Sequence, residues 1–95
     1  MPQTASTEHR TLHYAGHVQG VGFRFTTQTI AGRLAIAGYV QNLPDGRVKL
    51  VVEGAPTELD VLERSIDQQL GHHIRETGRD VRPATGNYLR FEIRN

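Results

Sequence analysis

Gly16-His17-Val18-Gln19-Gly20-Val21-Gly22-Phe23-Arg24 is the stretch on which the reading of this chain turns. It lies between a run that reads as a strand and one that reads as a helix. Glycines on either side of Val21 permit backbone angles and close approaches that other residues resist. A turn rich in backbone N–H groups, a helix N-terminus and the guanidinium of Arg24 in one place make an anion site. Taken alone, the loop reads equally well as a tight strand-to-helix turn with no ligand, because short glycine motifs are weak signals. It is not a dinucleotide fingerprint, since no glycine stands three residues beyond Gly22.

Before this loop, Arg10 to His17 reads as a strand, with Leu12 and Tyr14 on one face and Thr11, His13 and Ala15 on the other. After it, Phe23, Ile30, Leu34 and Ala37 recur near helical spacing, with Thr26, Thr27, Gln28 and Arg33 for the wet side. Gly38 is expected to end that helix, as a glycine just past a C-terminus commonly does. Tyr39-Val40-Gln41-Asn42-Leu43 reads as a second strand, Pro44-Asp45-Gly46 as a tight turn, and Arg47 to Glu53 as an alternating third strand. Together they predict an antiparallel hairpin.

Gly54-Ala55-Pro56-Thr57 opens a second helix, with proline in its first turn and Glu58 and Asp60 near the positive end of the dipole. Leu59, Leu62, Ile66 and Leu70 form its apolar stripe, and Gly71 ends it. His72 to Ala84 carries no clear period, because Gly78 and Pro83 interrupt it. Tyr88 to Ile93 alternates and predicts a last strand with Leu89, Phe91 and Ile93 facing inward. The order is β-α-β-β-α-β, an α+β ferredoxin-like sandwich with an antiparallel sheet and both helices on one face.

Composition narrows the function classes. Ninety-five residues with 37% hydrophobic content fit one domain, here 10–95, preceded by a polar tail over 1–9. Eleven basic and ten acidic residues leave a net charge of +1, which offers no broad field for nucleic acid or membrane. With no cysteine, a disulfide frame, a thiolate metal site and a cysteine nucleophile are excluded. No apolar run approaches the ~20 residues that span a bilayer. A cytoplasmic protein is the expectation. His13 and His17 share a strand face and His72 and His73 are adjacent. Without a fixed ligand geometry they read as surface or capping residues, and the metal expectation is none.

Two segments carry a family resemblance. Gly16 to Arg24 resembles the first signature of the acylphosphatases, and Gly38-Tyr39-Val40-Gln41-Asn42-Leu43-Pro44-Asp45-Gly46-Arg47-Val48 resembles the second. The resemblance runs from about Thr11 to Ile93 and is weaker after Leu62. Where the family commonly shows a Gly-Pro pair and a regular strand, Gly71-His72-His73-Ile74 stands instead. That puts the fourth strand in question.

The resemblance implies hydrolysis of an acyl phosphate to a carboxylate and inorganic phosphate, by a cytosolic monomer with no metal or organic cofactor. It implies that His17, Val18, Gln19, Gly20, Val21, Gly22 and Phe23 surround the phosphate, largely through backbone N–H groups. By the same resemblance Arg24 binds the phosphate and Asn42 orients the water. Such chemistry asks little of the protein, because the leaving carboxylate is a weak base. Charge stabilisation and a placed water suffice. Asn42 cannot act as a general base, so the substrate's own phosphate is the expected proton acceptor.

Individually, Arg24 reads as a solvated helix-start residue and Asn42 as a turn former before Pro44. Only the paired signatures reverse that reading. Two rivals remain at this stage, a non-catalytic anion-sensing domain and an RNA-binding module of the same topology. For the second, Gly20 to Phe25 faintly resembles an aromatic RNA-recognition segment, but it precedes a helix instead of lying in the third strand.

Overall fold

The computed structural model describes residues 6–95. Residues 1–5 of the expected tail lie outside that range. Within it, Glu8 and His9 already belong to the first strand, so ordered structure begins ahead of Arg10. The elements are β1 (Glu8–Gly16), α1 (Phe23–Ala31), β2 (Ile36–Asn42), β3 (Val48–Gly54), α2 (Pro56–Leu70), a 3₁₀ turn (Gly71–His73), β4 (Ile74–Pro83) and β5 (Phe91–Arg94).

The strands form one sheet in the order β4-β1-β3-β2-β5. β1 is antiparallel to both β3 and β4, and β2 is antiparallel to β3. β5 corrects the expectation of a wholly antiparallel sheet, because it runs parallel to β2 with Gly38 opposite Phe91. The pairing Tyr14–Val48 and Asn42–Val48 brings the end of β1, the start of β3 and the end of β2 to one end of the sheet. The strand-to-helix loop leaves from that end.

Alternation in the strands and the helical stripes meet in a single core. Leu12 and Tyr14 of β1, Val40 of β2 and Val48, Leu50 and Val52 of β3 are fully buried against Phe23 and Ile30 of α1. On α2 the expected stripe of Leu59, Leu62, Ile66 and Leu70 is buried at all four positions. Each such side chain contributes about 1.5–3 kcal/mol on leaving water, so the stripe is what docks α2 onto the sheet. The Pro44-Asp45-Gly46 turn also forms as expected, with the Gly46 N–H donating to Leu43 O at 3.1 Å and the Arg47 N–H to Asp45 Oδ1 at 3.1 Å.

Three expectations are corrected. α1 ends at Ala31, and Gly32 caps it by donating to Gln28 O, so Leu34 and Ala37 are not helical. Gly38 does not end a helix. It sits inside β2 at φ 144, where a Cβ would stand 1.9 Å from Val51 O, so close strand approach accounts for its lack of a side chain. Thr27 faces the core, fully buried, instead of the wet side.

At the far end of the chain, Leu89 is 96% exposed and precedes β5 instead of facing inward with Phe91 and Ile93. The segment without a period, meanwhile, is a ten-residue edge strand, β4, whose pairing with β1 shifts register between Ala15 and Gly16. Its positions after Ile74 are exposed, which is why no apolar alternation announced it. Charge pairing takes the place of packing there, as in the bond from Arg79 Nε to Glu63 Oε1 at 3.0 Å. No helix among the described residues is long and apolar enough to cross a membrane.

Candidate active site

The loop after β1 is free of backbone ladders because it must turn from a strand into a helix within Gly16–Gly22. Gly20 and Gly22 both adopt φ 78, a left-handed conformation that costs glycine nothing and other residues about 1 kcal/mol or more. Gly22 is also the N-cap of α1 and offers no capping side chain. The first turn of the helix holds no acidic residue. The positive end of the α1 dipole is therefore uncompensated by the protein.

Two contacts hold the loop in shape. His17 donates its backbone N–H to His73 O at 2.9 Å, tying the loop's first residue to the 3₁₀ turn. Gln19 reaches across to the β2–β3 turn, with Nε2 donating to Leu43 O at 2.8 Å and Arg47 O at 3.0 Å. Val18 is fully buried, and Val21 packs against the core from the other side of the loop. Between these anchors, the N–H groups of Val18 through Phe25 donate to no protein acceptor among the described residues.

A cleft of about 250 Å³ opens beside the loop. It is lined by Val18, Gly20 and Gly22 of the loop, by Phe23, Arg24 and Phe25 at the start of α1, and by Asn42 at the end of β2. Ile93 and Asn95 complete the lining. The sheet order thus brings Arg24 and Asn42 to one cavity from separate elements.

Of the residues expected around the phosphate, Val18, Gly20, Gly22 and Phe23 line this cleft, while His17, Gln19 and Val21 do not. His17 is also removed from the set of free donors, since its N–H is committed to His73 O. Gln19 and Val21 serve as anchors through their side chains and keep their backbone N–H groups unpaired.

Arg24 is held by one nitrogen. Its Nη1 donates to Arg94 O at 3.2 Å and to Asn95 Oδ1 at 3.3 Å, both neutral acceptors. Among the described residues its Nε and Nη2 donate to no protein group, which leaves one edge of the planar fork for a bidentate anion. Gln41 Nε2 fixes the same terminal residue through Asn95 O at 3.1 Å. Asn42 presents the opposite case: its Oδ1 is buried and has no hydrogen-bond partner. A buried acceptor left unmet costs about 1–3 kcal/mol; the hydroxyl of Thr27 in the core is the other such atom among the described residues, and Asn42 is the one that lines the cleft.

Three imidazoles gather near the loop, with ring centroids 6.2 Å apart for His17 and His73 and 3.9 Å apart for His72 and His73. Burial, followed by the neighbouring His72 and His17, pushes His73 below the usual imidazole range and favours its neutral form. Among the described residues no group of three or more histidine, aspartate or glutamate side chains is arranged to hold a metal ion.

Comparison with known proteins places the whole chain. The acylphosphatase family profile matches residues 10–93. An acylphosphatase of Rubrobacter xylanophilus is 40% identical over 99% of this chain and 86% of its own length. One from Lactobacillus johnsonii is 38% identical over 87% of this chain and 93% of its own. The crystal structure of acylphosphatase from Bacillus subtilis superposes with a TM-score of 0.82 at 28% identity, covering 94% of this chain and 99% of that one.

Proposed function

The chain belongs to the acylphosphatase family and hydrolyses acyl phosphates to a carboxylate and inorganic phosphate, and we propose that the cleft between the loop and Asn42 does this. The phosphoryl oxygens are held by the unpaired N–H groups from Val18 to Phe23 and by the free edge of Arg24, reinforced by the α1 dipole. These donors are in place before substrate arrives, so they stabilise charge on the phosphoryl group without reorganising.

The observation that carries this reading is the buried, partnerless Oδ1 of Asn42 in the same cleft as Arg24. An amide that accepts a hydrogen bond from water at Oδ1 and offers N–H₂ beside it orients that water without titrating. The water oxygen attacks phosphorus in line, the phosphorus–oxygen bond to the acyl group breaks, and its electron pair leaves with the carboxylate. The water's proton passes to a phosphoryl oxygen of the substrate. Near-neutral charge supports a small-molecule substrate over nucleic acid or membrane, and we propose a cytoplasmic monomer.

The test follows hydrolysis of benzoyl phosphate with no metal added. Turnover well above the spontaneous rate, with competitive inhibition by inorganic phosphate, is expected. A rate equal to the spontaneous one ends the reading. A pH–rate profile that shows a protein general base near neutrality, abolished by replacing a single histidine, would sink the substrate-assisted step while leaving the activity.

A further inference from the structure

We propose that Phe25 is the contact for the acyl group, and that it biases this enzyme toward aromatic and bulky apolar acyl phosphates over acetyl phosphate. The inference rests on the hydrolysis proposed above. Phe25 stands in the first turn of α1 beside Arg24 and is 69% exposed, whereas Phe23, two residues earlier, is 2% exposed in the core. A single exposed ring is ordinary on a protein surface. This one also lines the cleft, next to the half-buried Ile93.

The main polar side chains of the cleft already have roles in that reading. Arg24 and the loop N–H groups serve the phosphate, Asn42 serves the water, and Asn95 accepts from Arg24. What remains for the acid portion is apolar, Phe25 and Ile93. Space agrees with this: about 250 Å³ is many times what a single water needs, and more than a phosphate alone requires. In-line attack also sends the leaving carboxylate away from the water on Asn42, and so away from the end of β2. An acyl chain leaving that way has the exposed ring of Phe25 among the lining it can meet.

A phenyl face at a wet rim adds selectivity in proportion to the apolar surface it covers. An aromatic pair gains about three- to tenfold over a contact of equal area without the ring. A methyl group as small as that of acetate covers little of Phe25 and gains little.

The experiment measures kcat/KM for benzoyl phosphate and acetyl phosphate, with inhibition by inorganic phosphate, in the full chain and in Phe25→Ala, Phe25→Ser and Phe25→Tyr. Intrinsic reactivity cancels when the benzoyl-to-acetyl ratio is compared between variants. The ratio is expected to fall about three- to tenfold in the alanine and serine variants, chiefly through KM, and to recover in the tyrosine variant. Phosphate carries no acyl group, so its inhibition constant should stay within about twofold. A ratio that does not move while wild type remains active overturns the role of Phe25 and leaves the hydrolytic reading standing. Loss of phosphate inhibition together with the ratio also overturns it, because the residue would then act on the loop. Wild type that hydrolyses neither compound removes both the activity and this inference.

Discussion

The two ends of the sheet treat buried polar groups in opposite ways. At the end where β3 finishes, Glu53 is buried and every part of its carboxylate is met: Oε2 accepts from the Thr85 N–H at 2.8 Å, the Thr85 hydroxyl at 2.7 Å and the His9 ring at 2.6 Å, and Oε1 from the Gly86 N–H at 2.9 Å. Nearby on β1, Arg10 is 3% exposed and is met by Glu8, Asp60 and Glu63. Where β2 finishes, by contrast, Asn42 Oδ1 has no partner and the loop N–H groups have none either. Full satisfaction locks the chain that crosses from β4 to β5. The shortfall is where the proposed reading places phosphate and water.

The difference is energetic as well as geometric. Burial alone would push the Glu53 carboxyl up, but the bonds from the Thr85 N–H, His9, the Thr85 hydroxyl and the Gly86 N–H outweigh it and hold the group at about 2, down from 4.5. For Arg10 burial again opposes the charge, and the hydrogen bonds it donates to Asp60, Glu63 and Glu8 outweigh it and raise its pKa. Neither compensation exists at the cleft.

Substitutions at the unmet end should remove activity, and those at the met end stability. The largest effect is expected at Arg24. Arg24→Ala should lower kcat/KM for benzoyl phosphate on the order of 10³-fold and weaken inhibition by inorganic phosphate, since the fork edge binds ground state and transition state alike. Asn42→Ala should cost about 10²–10³-fold in kcat with phosphate inhibition little changed. In chemical denaturation the same variant should be as stable as wild type or about 1 kcal/mol more so, because an unmet acceptor has been deleted. A clear loss of stability would mean that Asn42 is structural.

At the other end, Glu53→Ala should lose about 2 kcal/mol of stability in urea unfolding while keeping kcat, as four donors lose one acceptor. The smallest effect concerns acid. A carboxyl whose folded pKa is depressed contributes stability in full above its ordinary 4.5, and that contribution fades as pH falls through about 2. Wild type should therefore lose stability across that window more steeply than Glu53→Gln, which has no proton to take up at this position. Parallel curves would place the acid sensitivity elsewhere.

Where residues followed a local period or a turn rule, they were legible. The α2 stripe, the Pro44-Asp45-Gly46 hairpin and the glycine loop all depend on neighbours a few positions away. β4 was not legible, because an edge strand held by main-chain pairing and by charges such as Arg79 needs no apolar alternation. Gly38 was misplaced for a related reason. A glycine that ends a helix and one that admits a neighbouring strand's carbonyl look alike until Val51 is beside it. Leu89 fell into an apolar alternation by chance and stands in solvent.

The candidate site divides along the same line. Its pieces, a left-handed glycine turn at a helix start, Arg24 within it and Asn42 before a hairpin turn, are properties of short stretches, because steric limits and turn chemistry act over a few bonds. Their assembly is not local. Only the sheet order, with β3 between β1 and β2, places Asn42 in the cleft of the loop. Only tertiary burial strips its Oδ1 of water and partners. Pairing partners far apart in the chain also decided that Glu53 is a clamp, that His17 spends its N–H on His73, and that Phe25 is left exposed in the lining of the cleft. Sequence sets what each segment prefers. Long-range contacts decide which polar groups are met and which are left unmet.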